Sequence, residues 1–304
     1  MKRRNFAKLT ALSSLTGFFP IQTFSKSLNN ESDIKISLAQ WSLNKSIKSG
    51  ELPILDFAKK ARSFDINAIE YVASLYTEHS DVLKRMSMNS LAKELLKRSD
   101  DFGIDNFLFM IDGQGDLASS RKRIRLEAIE NHKRWIDFSY KLGCKTMRVN
   151  LRGEDNLERW TENSVQSLSV LSNYNKDINV VVENHGDLSS NGQYLANVMS
   201  KVNIDNCGTL PDFGNFRIQE DEWYDRYLGV RELMPFAKAV SAKSHEFDKN
   251  GNETGTDYYK MMKIVLDAGY HGYVGIEYEG TVHSEMEGIR LTLELLKKIR
   301  DTMS

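Results

Sequence analysis

Residues 178–187 read INVVVENHGD. Four apolar, β-branched residues, broken only by Asn179, run up to Glu183, and a polar turn containing Gly186 follows. A short run of this kind, rich in valine, is the pattern of a strand buried on both faces, as in a parallel sheet covered by helices. The same pattern recurs along the chain. β-rich runs lie at 34–43, 66–72, 104–111, 146–151, 178–182, 207–210, 239–242 and 273–278, and each leads into a longer segment of helical periodicity. In one such segment Leu126, Ile129, His132, Trp135, Ile136 and Leu142 form an apolar face among Lys, Arg and Glu, and Gly143 stops the helix. Gly269 ends a second helix, and Gly272 precedes the last strand. The runs start about 30–40 residues apart, the length of one strand, loop, helix and return loop. Eight such units close a barrel.

The expected fold is therefore α/β, a single (β/α)8 TIM barrel over residues 27–304. An open doubly wound sheet would place a glycine-rich phosphate turn after the first strand. Here the first run leads into Asn44, Lys45 and Ser46 instead. No linker or charge block divides the chain further.

Composition narrows the function classes. The 304 residues are 40% hydrophobic and 27% charged, with 41 Lys and Arg against 42 Asp and Glu. Near-neutral charge argues against a nucleic-acid partner, which needs a basic face. Two cysteines exclude a disulfide scaffold or a cysteine-rich zinc site. Cys144 and Cys207, two barrel strands apart, are expected to be free thiols. Residues 1–26 carry Lys2, Arg3, Arg4, Lys8 and Lys26, no acid, and a mildly apolar stretch too short to span a bilayer. This is the layout of an export signal. The string KRRNFAKL resembles a twin-arginine signal, which implies passage through the twin-arginine translocase and a periplasmic or otherwise exported protein with no stable membrane insertion. Removing the segment takes away five positive charges and leaves 36 basic against 42 acidic residues, a formal charge of -6. Such a surface suits a small neutral or cationic ligand. A homo-oligomer is left open.

Chemistry-bearing residues fall at the ends of four consecutive strands. Glu183 follows Val180-Val181-Val182, Asp212 follows Leu210-Pro211, His245 follows Lys243-Ser244, and Glu277 follows Gly275-Ile276. The steps from 183 to 212, 212 to 245 and 245 to 277 each span one βα unit. In a closed barrel the four side chains then share one height at the carboxyl-terminal mouth. Singly, each has an ordinary reading as a helix cap, turn former or pocket histidine. Together, three carboxylates and one imidazole make a hard site suited to one divalent metal ion, Mn²⁺, Co²⁺, Mg²⁺ or Zn²⁺. Without a compensating cation the carboxylates would repel one another.

Other mouth residues are expected to bind substrate. Glu70 and Tyr71 end the second strand, Asn150 and Arg152 the fourth, and His185 follows Glu183. Trp41 could stack on a sugar ring. Lys243 shares the inward face of its strand with His245, and an inward lysine must meet an anion or a ligand. Glu279 shares the face of Glu277 and orients a ligand from behind.

The strings VVVENHGD, LPDFGNF, AKSHEFD and GYVGIEYEG, with INAIEY upstream, resemble the sugar phosphate isomerase/epimerase superfamily with its xylose-isomerase-like TIM barrel. The similarity extends from about Ile34 to the end. It implies that Glu183, Asp212, His245 and Glu277 bind one divalent metal and that Glu183 and Glu277 transfer protons. One departure is Asn215, where many epimerases carry a histidine three residues after the metal aspartate. The expected activity is epimerisation or isomerisation of a free sugar or keto-sugar through a metal-stabilised enediolate. The alternatives are a lyase or dehydratase acting on a keto-sugar or 3-keto-glycoside through the same intermediate, and a non-catalytic sugar-binding barrel. The multi-zinc endonuclease branch is set aside, because six histidines and an acidic mature charge fit neither a metal cluster nor DNA.

Overall fold

The computed structural model describes residues 34–303, so the expected export signal at 1–26 lies outside the described residues. Eight strands form the central sheet: β1 (Lys35–Ala39), β2 (Ala68–Val72), β3 (Asp105–Met110), β4 (Thr146–Val149), β5 (Asn179–Glu183), β6 (Cys207–Leu210), β7 (Val240–Ser244) and β8 (Tyr273–Tyr278). Every pairing within it is parallel, and the strand order is β6-β5-β4-β3-β2-β1-β8-β7. The seam between β6 and β7 is joined by the isolated bridges Thr209–Ala237 and Asp212–Ser241. Ser241 N donates to the Pro211 carbonyl at 2.9 Å, and Phe213 N to the Ser241 carbonyl at 3.1 Å. The strand that supplies Asp212 is thus stitched to β7 at the level of the mouth.

Helices cover the outside because each has one apolar stripe. The helix Lys122–Leu142 buries Arg125, Ala128, Ile129, His132, Trp135, Ile136, Ser139 and Leu142, and Gly143 caps it at φ +86°. Leu126, expected on that face, is 48% exposed. It lies one residue, about 100° of helical turn, beyond Arg125. Arg125 takes the buried position because its guanidinium finds the Ser119 carbonyl and, at 2.8 Å, Gln166 Oε1. Helices after β4 and β5 start at asparagine caps: Asn156 accepts from Arg159 N and Asn191 from Tyr194 N. Between barrel and helix layer, Phe109 stacks on Tyr71 with centroids 5.8 Å apart and on Trp135 at 5.3 Å. Tyr71 therefore belongs to that packing layer and not to the mouth, since neighbouring residues of a strand face opposite ways.

The first run is shorter as strand than expected. β1 stops at Ala39 and a 3-10 turn, Gln40–Leu43, replaces its end. There Ser42 Oγ donates to the Ile276 carbonyl at 3.1 Å and accepts from Tyr278 N at 2.9 Å, fastening the turn to β8. Cys144 and Cys207 are both free and buried, as expected. Among the described residues, no helix is long and apolar enough to cross a membrane.

Candidate active site

At the carboxyl-terminal mouth the strands deliver Glu183, Asp212 and Glu277, all buried, to one place. One carboxylate oxygen from each lies within 4.8 Å of the others. Glu183 ends β5, where Asn215 Nδ2 donates to its Oε1 at 2.7 Å. Its Oε2 lies 2.9 Å from Nε of Arg148, a buried residue of β4, as a close charge contact rather than an aligned hydrogen bond. The same guanidinium reaches Asp112 Oδ1 through Nη1 at 2.6 Å. Asp212 sits in the turn after β6. Its Oδ1 accepts from Gly214 N and Asn215 N, each at 2.7 Å, while Oδ2 lies 2.7 Å from Ser241 Oγ. Glu277, in β8, places Oε2 at 2.9 Å from that same hydroxyl.

Lys243 joins this group from β7. Its side chain is 3% exposed, and Nζ stands 3.4 Å from Glu277 Oε1, 3.8 Å from Asp212 Oδ2 and 3.3 Å from Glu279 Oε1. His245 does not join it. It lies just beyond the end of β7 with its side chain 49% exposed, and Nε2 is 4.0 Å from Glu279 Oε2. The three carboxylates offer hard oxygen donors close enough for a single divalent ion. The fourth corner holds an ammonium, which has hydrogen-bond donors and no lone pair to give.

The charges shape one another. Burial pushes the Glu183 carboxyl up to about 7 against the pull of Arg148. Burial likewise raises Asp212 to about 7 against the pull of Lys243. For Glu277 burial works in the same sense, but Lys243 and Arg148 outweigh it and hold this carboxyl below the ordinary value. Lys243 is held well above the ordinary lysine value, because Asp212, Glu277 and Glu279 overcome its desolvation.

The remaining sequence candidates spread over two levels. Glu70 is below the mouth, inside the barrel, with Ser37 Oγ donating to its Oε1 at 2.5 Å; burial raises it to about 8. It fits because position 275 is glycine: a Cβ there would come within 2.2 Å of Glu70 Oε1. Trp41 lines an inner cleft of about 400 Å³ together with Glu78, Asp112, Arg148, His185 and Glu277. Lys48 Nζ lies over the Trp41 ring, 4.3 Å from its centroid. Asn150 donates to Asp112 Oδ1 at 2.8 Å, so it steadies the partner of Arg148. Arg152 Nη2 lies 3.0 Å from His185 Nδ1, and Nη1 is 3.6 Å from Asp187 Oδ2. Arg152, His185 and His245 line an outer cleft of about 690 Å³, whose far wall is the hairpin Arg217–Gln219 and Glu222–Trp223. His185 borders both clefts.

Sequence reasoning missed Arg148, Asp112 and Ser241. Arg148 had a signal: a charge in the middle of the otherwise uncharged strand Thr146–Val149, two residues before Asn150, has to face the barrel interior and find an anion there. Ser241 had none, since a serine in a strand is unremarkable.

A xylose isomerase-like TIM barrel family model matches residues 58–299. The chain belongs to that family. A curated relative, the C-glycoside deglycosidase alpha subunit of Arthrobacter globiformis, is 30% identical over 86 residues, which cover 28% of this chain. That match spans only 22% of the relative's length. Among solved structures, an L-ribulose 3-epimerase superposes with a TM-score of 0.69 at 15% identity, covering 89% of this chain and 95% of its own. The 3-keto-D-glucoside 4-epimerase of E. coli, in its apo form, gives 0.66 at 13% identity, covering 87% and 99%. At such identities the likeness is one of fold.

Proposed function

We propose that this chain is a sugar epimerase or isomerase that moves a proton next to a carbonyl, with Glu183 and Glu277 as the proton-transfer groups. The observation that carries this reading is the convergence of two buried glutamates, from separate strands of the barrel, on one point of the mouth beside the cations Arg148 and Lys243. A C–H next to a sugar carbonyl becomes acidic enough to transfer only when negative charge on the enediolate oxygens is stabilised. Glu183, Asp212 and Glu277 are the donors that a divalent ion, Mn²⁺, Co²⁺, Mg²⁺ or Zn²⁺, would use, and the cation set among them, whether such an ion or a side chain of the protein, would supply that stabilisation. The chain's own residues do the rest. Arg148 and Asn215 hold the Glu183 carboxylate, while Ser241 and Lys243 hold that of Glu277. One glutamate takes the proton and the other returns it, so the carbon is inverted when the two act on opposite faces. Trp41 offers a face for a pyranose or an open-chain sugar in the inner cleft.

A second reading is favoured by the outer cleft. Two spaces that meet at His185 suit a glycoside, with its keto-sugar ring beside Glu277 and its second group against Trp223, which is 58% exposed. The same enediolate would then expel the β-substituent, and the enzyme would be a lyase. The stretch shared with a C-glycoside deglycosidase subunit supports this branch.

The test is incubation with free ketoses and with 3-keto-glycosides in D₂O, read by NMR. Exchange at the carbon next to the carbonyl, with inversion, is expected for the epimerase, and release of the second group for the lyase. No exchange with any keto-sugar would refute both. We further propose that residues 1–26 direct export through the twin-arginine translocase to the periplasm; fractionation of cells expressing the chain with Arg3 and Arg4 changed to Lys tests this, and undiminished export would refute it.

A further inference from the structure

The strongest feature left unexplained by that function is a lysine where the ligand set calls for a donor. Lys243 is in register with Glu277 on the neighbouring strand, and Ser241, two residues earlier on the same face, is the residue whose hydroxyl meets Asp212 and Glu277. Position 243 therefore faces the triad by strand geometry. Its stem is accommodated by a glycine: a Cβ on Gly214 would stand 3.1 Å from Lys243 Cδ and 3.2 Å from Cγ. Gly214 belongs to the same turn whose backbone amides hold Asp212. The turn thus holds the aspartate and leaves room for the lysine at once.

An ion bound by the three carboxylates would sit between their oxygens, at about 2.0–2.2 Å from each. The ammonium, 3.4 Å and 3.8 Å from two of those carboxylates, already lies against that space. Two cations that close together in a buried pocket repel strongly. The histidine that would complete the coordination is outside, half exposed beside Glu279.

We propose that Lys243 is the resident cation of this site, so that its inward ammonium and a divalent ion exclude each other. The proposal rests on reading the triad as the reactive centre. In consequence the positive charge facing a developing enediolate is covalently part of the chain, shared between Lys243 and Arg148, and needs no exogenous ion.

Ion binding to the substrate-free protein tests this whatever the substrate is. The purified chain is dialysed against a chelator and titrated with Mn²⁺, free ion being read by electron paramagnetic resonance. The wild type is expected to show no stoichiometric site tighter than about 1 mM. Lys243→His, which removes the ammonium and adds an imidazole at the vacated corner, is expected to gain one Mn²⁺ per chain with affinity at least about tenfold tighter. Lys243→Gln, which removes the charge and shortens the side chain by one atom while adding a neutral amide oxygen, is expected to fall between them. Circular dichroism establishes that each variant is folded. One Mn²⁺ per wild-type chain bound as tightly as by Lys243→His would overturn the proposal, as would failure of both folded variants to gain affinity. A negative D₂O experiment would count against the sugar chemistry and leave these titrations unaffected.

Discussion

The two glutamates of the mouth are built alike and supported differently. Each pairs with a cation from the preceding strand: Glu183 on β5 with Arg148 on β4, and Glu277 on β8 with Lys243 on β7. Arg148 is shared with Asp112 at 2.6 Å, and among the described residues one further donor, Asn215, reaches Glu183. Lys243 is shared with Asp212 and Glu279, but Asp212 has two backbone amides of its own and Ser241 lies beside both acids. The Glu183 carboxyl is consequently raised and that of Glu277 lowered, although both are buried. Similar burial gives opposite outcomes when the nearby cations and donors are distributed differently.

The largest expected effect breaks both halves chemically. Glu183→Gln and Glu277→Gln should each lower the rate of solvent deuterium exchange by about a hundredfold to ten-thousandfold, with the thermal midpoint nearly unchanged. Near-normal exchange in either variant would remove it from the proton-transfer role. Next come the cations. Arg148→Met strands Asp112 and Glu183 together and should cost about 3–5 kcal/mol in urea unfolding. Lys243→Met should cost less, because Asp212 keeps its backbone donors; an equal or larger loss would show that the two halves are not supported differently. Ser241→Ala should follow at about 1–3 kcal/mol, since it takes one hydroxyl from two buried carboxylates. The smallest effect is expected away from the triad. Trp223→Ala should raise KM about fivefold for a keto-glycoside and leave a free ketose unaffected, if the exposed indole receives the second group. Equal effects on both substrates would disconnect the outer cleft from specificity.

Much of the barrel was legible because strand and helix periods are local. The runs at 178–182, 207–210 and 273–278 match observed strands closely, and the phase of one βα unit brought Glu183, Asp212 and Glu277 together correctly. The same arithmetic is too coarse for depth. β7 ends at Ser244, so His245 emerges past the rim while Lys243, two residues earlier on that face, reaches the interior. Glu70 was misplaced in the same way, one layer too high, because whether Ser37 and Gly275 leave a recess for it depends on strands far apart in sequence. Leu126 shows the limit for helices: an apolar residue at the margin of a stripe yields to an arginine whose partners come from a loop and a neighbouring helix.

The Ser241 hydroxyl carries a single hydrogen yet stands 2.7 Å from Asp212 and 2.9 Å from Glu277. It can point that hydrogen at only one of them. The acid left facing the oxygen lone pairs is stabilised by carrying a hydrogen itself, so rotation of one C–O bond toggles which of the two is the charged member. A serine at this spot can thus serve either acid by turning one bond, without any movement of the backbone.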